Sequence, residues 1–316
     1  MGGTLISAAT QLHAQHYPAG AQGIKAGSLP GPGFTVEDDN SFYYADRMPG
    51  FNGTFDYRDS GFSTFSYVQA PRLTWMSSWK MLGANYGAAI RVPVEFKETK
   101  FIVEPLTGPV HLKSDQFGLA DIEVHPVLLA WHLKHFDFST GYSFWAPTGD
   151  YDQNRFFAEN IGDGYWTHSF MLGVTWYPDS DKTWAISVLN HYDINTRQYS
   201  TLEYVPPTQS NPLGIGYFDT TLGDIYSLEW SVSKTIDHFD LGLTGYYQQQ
   251  ITDTQNPGPN GPTWKGEHLH IAGIGPEIGY TIPKWALSAS LRYAYEFSAL
   301  DHTQGNLINL TIKKTF

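Results

Sequence analysis

Few residues in this sequence have the types and spacing that catalysis or metal binding requires. There is no Gly-x-Ser-x-Gly nucleophile elbow, no Walker phosphate loop and no His-Glu-x-x-His zinc motif. His168 and Ser169 are adjacent, but neighbouring side chains of a strand point to opposite faces. His268 and His270 share a strand face and could hold a metal ion with a third ligand, although such pairs are more often incidental. We therefore expect no catalytic residues, no metal site and no cofactor.

Charged residues at alternate positions of apolar stretches are the stronger chemical feature. Residues i and i+2 of a strand share a face, and opposite charges on neighbouring strands can pair. One interpretation is a polar constriction that selects solutes, and the other is an ion-pair network that satisfies buried charge. The candidates are Arg91, Glu95, Asp121, Glu123, His125, Glu229, Arg292 and Glu296.

The elements that would position these residues are strands, and the C-terminal one is the clearest. Ile308, Leu310, Ile312 and the terminal Phe316 fall on one face of this strand and polar residues on the other, broken only by Lys314 on the apolar face. This pattern is typical of the last strand of an outer-membrane barrel. An edge strand of a soluble sandwich is the alternative. The order of the connections decides between the two.

Connections between the alternating segments are long and short in turn. The predicted strands are 34–45, 62–78, 83–96, 117–133, 135–147, 166–178, 183–200, 219–234, 237–252, 266–282, 284–298 and 305–316. The long connections are 46–61, 97–116, 148–165, 201–218 and 253–265. Long loops at one end and tight turns at the other favour an all-β, transmembrane, antiparallel up-and-down barrel of about twelve strands over residues 34–316.

Composition agrees with this architecture. The 316 residues include no cysteine and 16% aromatics, and the mean hydropathy is −0.32. No uncharged apolar run reaches the roughly 18 residues of a membrane helix, whereas a barrel needs apolar side chains only at alternate positions. Aromatics near strand ends, including Trp79, Tyr177 and Trp285, would form interfacial girdles. The net charge of −12 argues against a nucleic-acid partner.

Residues 1–33 form a separate N-terminal region. The stretch 16–33 is too rich in Gly and Pro for a regular element. We predict that it folds into the lumen as a plug, where Tyr17, Ile24 and Leu29 would line the pore; a periplasmic tail is the alternative.

Several stretches resemble the outer-membrane family named after the MetA pathway of phenol degradation. The most specific are Trp145-Ala146-Pro147-Thr148-Gly149-Asp150-Tyr151 and Gly273-Ile274-Gly275-Pro276, and others lie within 16–34, 121–133, 173–176 and 245–253. The resemblance implies a β-barrel channel that takes up small hydrophobic or aromatic solutes. It supplies no catalytic residues.

The sequence therefore predicts a bacterial outer-membrane channel through which small aromatic or apolar compounds diffuse passively. Its other partners would be outer-membrane lipids, lipopolysaccharide and the assembly machinery, which would bind the C-terminal strand. An outer-membrane enzyme acting on lipid, and a plugged structural or adhesive barrel working through its loops, remain alternatives.

Overall fold

The computed structural model describes residues 15–49, 61–103, 110–155, 160–204, 215–255 and 268–316. The predicted connections 46–61, 97–116, 148–165, 201–218 and 253–265 therefore lie partly outside the described residues, as do residues 1–14 of the N-terminal region. The strands are β1 (Gly33–Arg47), β2 (Ser63–Met81), β3 (Ala84–Arg91), β4 (Val94–Val103), β5 (Val110–Leu119), β6 (Ile122–His132), β7 (Phe136–Ala146), β8 (Thr167–Trp176), β9 (Trp184–Asn195), β10 (Gln198–Tyr204), β11 (Ile215–Thr220), β12 (Ile225–Ile236), β13 (Phe239–Gln250), β14 (His270–Ile282), β15 (Leu287–Leu300) and β16 (Gln304–Thr315). One 3₁₀ turn, Pro283–Trp285, joins β14 to β15.

These segments form a closed barrel of twelve antiparallel strands, as predicted. Four strands of the barrel are interrupted, and each consists of two successive segments: β3 with β4, β5 with β6, β9 with β10, and β11 with β12. Closure is made by β1, which pairs with β16 on one side and with β2 on the other. Asn40, for example, faces Leu310 on β16 and Gln69 on β2.

Two predicted loops are in fact strand hairpins. Much of 97–116 is the β4–β5 ladder, in which Glu98 faces Asp115, and much of 201–218 is the β10–β11 ladder, a separate two-stranded sheet. The β4–β5 hairpin exposes charged side chains, and Glu98 bridges Lys100 and Lys113 at 2.7 Å each. Because these strands carry charge where lipid-facing strands carry apolar residues, they lack the alternation that identifies the others.

The barrel has an apolar outer surface and a polar interior. On β15, Leu291 and Tyr295 are each 50% exposed, whereas Arg292 and Glu296 are 5% and 3% exposed. This is the alternation expected of a strand with lipid on one side and a lumen on the other. No helix among the described residues is long and apolar enough to cross a membrane.

Exposed aromatics lie at the short-turn end of the wall. Trp79, Trp176, Trp184 and Trp285 are all exposed there, as an interfacial girdle requires. The prediction was wrong for Tyr177, which is buried and donates a 2.8 Å hydrogen bond to Asp137 inside the barrel. Its place immediately after an outward-facing Trp176 puts it on the inner face.

Candidate functional site

Residues 15–32 form no strand and lie against the inner face of the barrel. His16 contacts Thr167 at the start of β8, near the loop end. Ser28 donates a 3.0 Å hydrogen bond to Asp137 at the start of β7, near the short-turn end. This N-terminal segment therefore runs along the lumen from the loop end to the short turns before it enters β1.

Carboxylates of the wall accept the backbone N–H groups of the segment. Glu229 on β12 accepts hydrogen bonds from Gln22 N and from the Tyr17 hydroxyl, both at 2.7 Å. Glu277 on β14 accepts one from Ile24 N at 2.9 Å. A buried chain without a ladder must find such partners, because each unpaired backbone group is costly.

Donors of the wall satisfy the segment's carbonyls in the same way. Arg292 on β15 and Asn309 on β16 both donate to Gly20 O, the latter at 3.2 Å. Gln248 on β13 donates to Tyr17 O at 2.9 Å. The segment is thus hydrogen-bonded to several strands of the barrel and not to one strand alone.

Near the short turns the segment touches the wall backbone. A Cβ added to Gly27 would lie 2.6 Å from the backbone N and O atoms of Val174, so only glycine fits there. Gly27 N donates to the Ser187 hydroxyl at 2.7 Å, and Ser139 donates to Gly27 O at 2.9 Å. Leu29 packs on an apolar cluster of the wall that includes Leu128.

At the loop end, one imidazole meets two carboxylates. His16 Nε2 lies 2.9 Å from Asp121 Oδ2 and 3.4 Å from Asp163 Oδ2, and its ring stacks on Trp145 with centroids 5.5 Å apart. Burial raises the pKa of Asp163 to about 6. Burial alone would lower the pKa of His16, but Asp163 and Asp121 outweigh it and raise that pKa.

The segment separates two large cavities of the lumen, and a third, of about 60 Å³, lies between the segment and the wall beside Tyr17 and Leu29. The outer cavity, of about 350 Å³, lies toward the loops, and the inner cavity, of about 430 Å³, lies toward the short turns. Ala21, Asp39 and Asn309 line both. These three residues therefore lie where the two cavities adjoin, a position that we name the narrow place.

Three of the predicted lumen residues, Arg91, Glu123 and His125, belong to one polar network. Arg91 lies 3.4 Å from Glu123 and 3.6 Å from Asp39, and Glu123 lies 2.9 Å from His125. All of them are on the inner face, as the alternation requires. Asp39, which links this network to the narrow place, was not among the predicted residues.

The other predicted lumen residues lie apart from that network. Glu95 accepts a 2.7 Å hydrogen bond from Ser66. Glu296 accepts from Tyr43 and Tyr246, at 2.8 and 2.9 Å. Arg292 shares a face with Glu296, but the carboxylate nearest to it across the ladder is Glu277, at 4.0 Å.

The structure also places the three predicted plug residues. Tyr17 is 3% exposed, lines the outer cavity and stacks on His191 with centroids 4.0 Å apart. Ile24 and Leu29 line the inner cavity. His16, Gln22 and Glu277 were not among the predicted residues. Contacts between an irregular segment and a strand produce no periodic pattern in the sequence.

A serine–histidine pair bears on the enzyme alternative. Ser169 and His191 are 3.2 Å apart on β8 and β9. Both are buried on the inner face, under Tyr17. A lipid chain in the membrane has no access to this pair, so it gives no support to a lipid-acting enzyme.

Solved structures of outer-membrane proteins resemble this chain to different degrees. An outer membrane channel from Pseudomonas putida F1 is 12% identical with a TM-score of 0.68, covering 92% of this chain and 97% of that one. The β domain of the Bordetella autotransporter BrkA is 9% identical with a TM-score of 0.50, covering 90% and 100%. The monoaromatic hydrocarbon channel TodX is 10% identical with a TM-score of 0.47, covering 92% of each. For the first two the likeness concerns the fold alone.

Sequence comparison is more specific. No curated protein matches the chain. The family described as "Putative MetA-pathway of phenol degradation" matches residues 44–312. Because that match spans most of the sequence and the fold is a closed twelve-stranded barrel, the chain is an outer-membrane β-barrel that belongs to the MetA-pathway of phenol degradation family.

Proposed function

We propose that this barrel is a passive channel for small aromatic or other apolar molecules. The family is named for phenol degradation, a process that needs its substrate inside the cell. Lipopolysaccharide and its sugars obstruct apolar solutes at the outer surface, so a protein route is useful. The two cavities, which share three lining residues beside the N-terminal segment, are the observation that carries the proposal.

The outer cavity suits an aromatic ring in size and in lining. An engineered apolar cavity of about 150 Å³ binds benzene, so a cavity of about 350 Å³ has room for a substituted ring. Aromatic and aliphatic side chains contribute much of its wall. They are Tyr17, Phe62, Val68, Trp145, Ile161 and Leu307.

The narrow place between the cavities supplies selectivity. A solute that leaves the outer cavity passes Ala21 on the segment, and Asp39 and Asn309 on the wall. Asp39 is paired with Arg91 at 3.6 Å, so the passage presents paired rather than free charge. A small neutral ring with one hydroxyl fits this lining better than a hydrated ion or a sugar, which must give up more water.

Solute flux tests the proposal. The purified protein is inserted into vesicles whose outer leaflet contains lipopolysaccharide, which slows unaided entry of apolar molecules. Entry of phenol, benzoate and a monosaccharide is then measured with and without protein. We expect the protein to accelerate entry of phenol more than entry of benzoate, which is an anion at neutral pH, and more than entry of the sugar.

The same experiment separates the alternatives. An adhesive or structural barrel predicts no acceleration for any solute, and a general porin predicts faster entry of the sugar as well. Either result would reject the proposed channel. Release of fatty acid from the vesicle lipids would instead favour the enzyme.

A further inference from the structure

We infer that His16, Asp121 and Asp163 form a binding site for one divalent transition-metal cation, of the Zn²⁺ class. Their ligand atoms lie within 4.8 Å of one another. The side chains are 3%, 2% and 9% exposed, respectively. The sequence did not indicate this site, because the three residues come from the N-terminal segment, the β5–β6 junction and the loop before β8. The inference does not depend on the proposed channel activity.

The hydrogen-bond network beyond the site fixes the tautomer of His16. Asn195 Nδ2 donates to Gly223 O at 3.0 Å, so its Oδ1 faces Thr167 and accepts the Thr167 hydroxyl proton at 2.6 Å. The Thr167 oxygen must then accept a hydrogen bond from His16 Nδ1–H, at 2.7 Å. In the neutral imidazole the lone pair is therefore on Nε2, which faces both carboxylates. Metal-binding histidines are commonly oriented by such a bond from their other nitrogen.

A neutral His16 would place this lone pair against negative oxygens. A positive charge must therefore lie between His16 Nε2 and the carboxylate oxygens, and it is either a proton or a metal cation. A proton on Nε2 can be donated at 2.9 Å to Asp121. It leaves the second carboxylate, that of Asp163, with an excess negative charge beside it. A divalent cation neutralises both carboxylates together.

The surroundings of Asp163 favour a divalent cation over a proton beside His16 Nε2. Its carboxylate is nine-tenths buried and points toward His16 Nε2, at 3.4 Å. Neither carboxylate oxygen of Asp163 accepts a hydrogen bond from the described residues, whereas its backbone carbonyl accepts one from Gln198. Asp121, by contrast, accepts backbone bonds from Gly149 N and Asp163 N, both at 2.7 Å. An isolated buried carboxylate is costly unless it is paired or coordinates a metal.

The spacing and the donor types indicate the kind of ion. Ligands about 2.0–2.1 Å from a tetrahedral ion lie about 3.4 Å from one another. His16 Nε2 and Asp163 Oδ2 have this separation, whereas His16 Nε2 and Asp121 Oδ2, at 2.9 Å, would have to move slightly apart when the ion binds. One imidazole and two carboxylates suit Zn²⁺ or a neighbouring transition metal better than Ca²⁺ or Mg²⁺, which prefer six or more oxygens or several waters. The fourth position opens on the outer cavity, which all three residues line.

Bound metal would cross-link the start of the N-terminal segment to the wall. It would join His16 to Asp121, 105 positions along the chain. The segment would then be held at the loop end by metal and farther in by hydrogen bonds to Glu229.

Metal binding by the folded, untagged protein tests this inference. The protein is stripped with EDTA, titrated with Zn²⁺ by calorimetry, and titrated with Co²⁺ as a probe whose visible absorption reports tetrahedral coordination. We expect about one ion per chain. His16→Gln and Asp163→Asn should each weaken binding at least tenfold. Thr167→Val removes the acceptor of His16 Nδ1–H together with the hydroxyl hydrogen bond to Asn195, and it should weaken binding by about 10–100-fold.

Asp253→Asn is the matched control, since it alters another histidine–carboxylate pair, His268–Asp253 at 3.0 Å. It should bind Zn²⁺ as the original protein does. Heat-modifiable migration on gels shows which variants are folded, and Asp163→Asn decides the question if His16→Gln does not fold. No Zn²⁺ binding by the original protein at micromolar concentration would overturn the inference. Equal binding of Zn²⁺ by the Asp163→Asn variant would overturn it too. In either case a proton, and not a metal ion, would join His16 to Asp121.

Discussion

The hydroxyl of Tyr17 donates a 2.7 Å hydrogen bond to Glu229, although 212 positions separate the two residues in the chain. The same carboxylate accepts the backbone N–H of Gln22 at 2.7 Å. One buried glutamate of the wall thus holds two points of the N-terminal segment. The position of the segment, and with it the shape of both cavities, depends on polar groups that face the lumen.

Tyr17→Phe should loosen the segment without unfolding the barrel. Removing one donor to a buried carboxylate costs about 1–3 kcal/mol, which is enough to populate states in which the segment is displaced. Single-channel recordings in planar bilayers should therefore show larger and more variable currents. Tyr226→Phe is the control, because it removes a 2.6 Å hydrogen bond to Asn190 elsewhere in the wall. Identical recordings from the two variants would argue against a role of Tyr17 in holding the segment.

Gly27→Ala should displace the segment near the short turns. The added Cβ would lie 2.6 Å from backbone atoms of Val174, which cannot rotate away. We expect increased conductance from a barrel that stays folded and heat-modifiable. Gly31→Ala is the matched control, since a Cβ there meets nothing within 4 Å. If Gly27→Ala conducts no more than Gly31→Ala, the close approach of segment and wall does not limit the channel.

Ala21→Trp should close the passage between the cavities. Ala21 lines both, and an indole adds far more volume than the narrow place can accept. Phenol entry into lipopolysaccharide-containing vesicles should fall toward the protein-free rate, while Ala21→Ser should retain entry. If phenol enters at the original rate through a folded Ala21→Trp barrel, the solute path does not pass this residue.

Phe316→Ser should reduce assembly rather than transport. Phe316 is 72% exposed at the end of the last strand, and its backbone N–H closes the barrel on Phe34 O at 2.8 Å. We propose that the assembly machinery recognises this strand. The folded amount in the outer membrane should fall, whereas channels that do fold should conduct normally. A normal folded amount with altered conductance would contradict the proposed role.

The barrel could be predicted from sequence because lipid imposes a local rule. Outward positions such as Leu291 must be apolar, and inward positions such as Arg292 are polar, so each membrane strand shows the alternation on its own. The β4–β5 hairpin was taken for a loop because Glu98 and Lys100 belong to a charged ladder without that pattern. The pairing of β4 with β5 is recognised only from the structure, in which the two strands lie side by side.

The interior of the site was less predictable. Inward positions such as Arg91 and Glu229 follow from alternation, but their partners do not. Glu229 binds a backbone N–H of the segment, and any residue type except proline offers the same group. His16 meets Asp163 only through the folded loops, so no spacing in the sequence indicates their contact.

Deletion of residues 1–30 tests the central claim most directly, because the claim is that the segment divides the lumen and restricts passage. The measurement is single-channel conductance, together with entry of a monosaccharide into vesicles, for the original and the shortened protein. We predict a folded, heat-modifiable barrel with higher conductance and faster sugar entry, since the two cavities would merge. Equal conductance and equal sugar entry from a folded deletion variant would contradict the account and place the selectivity elsewhere in the barrel.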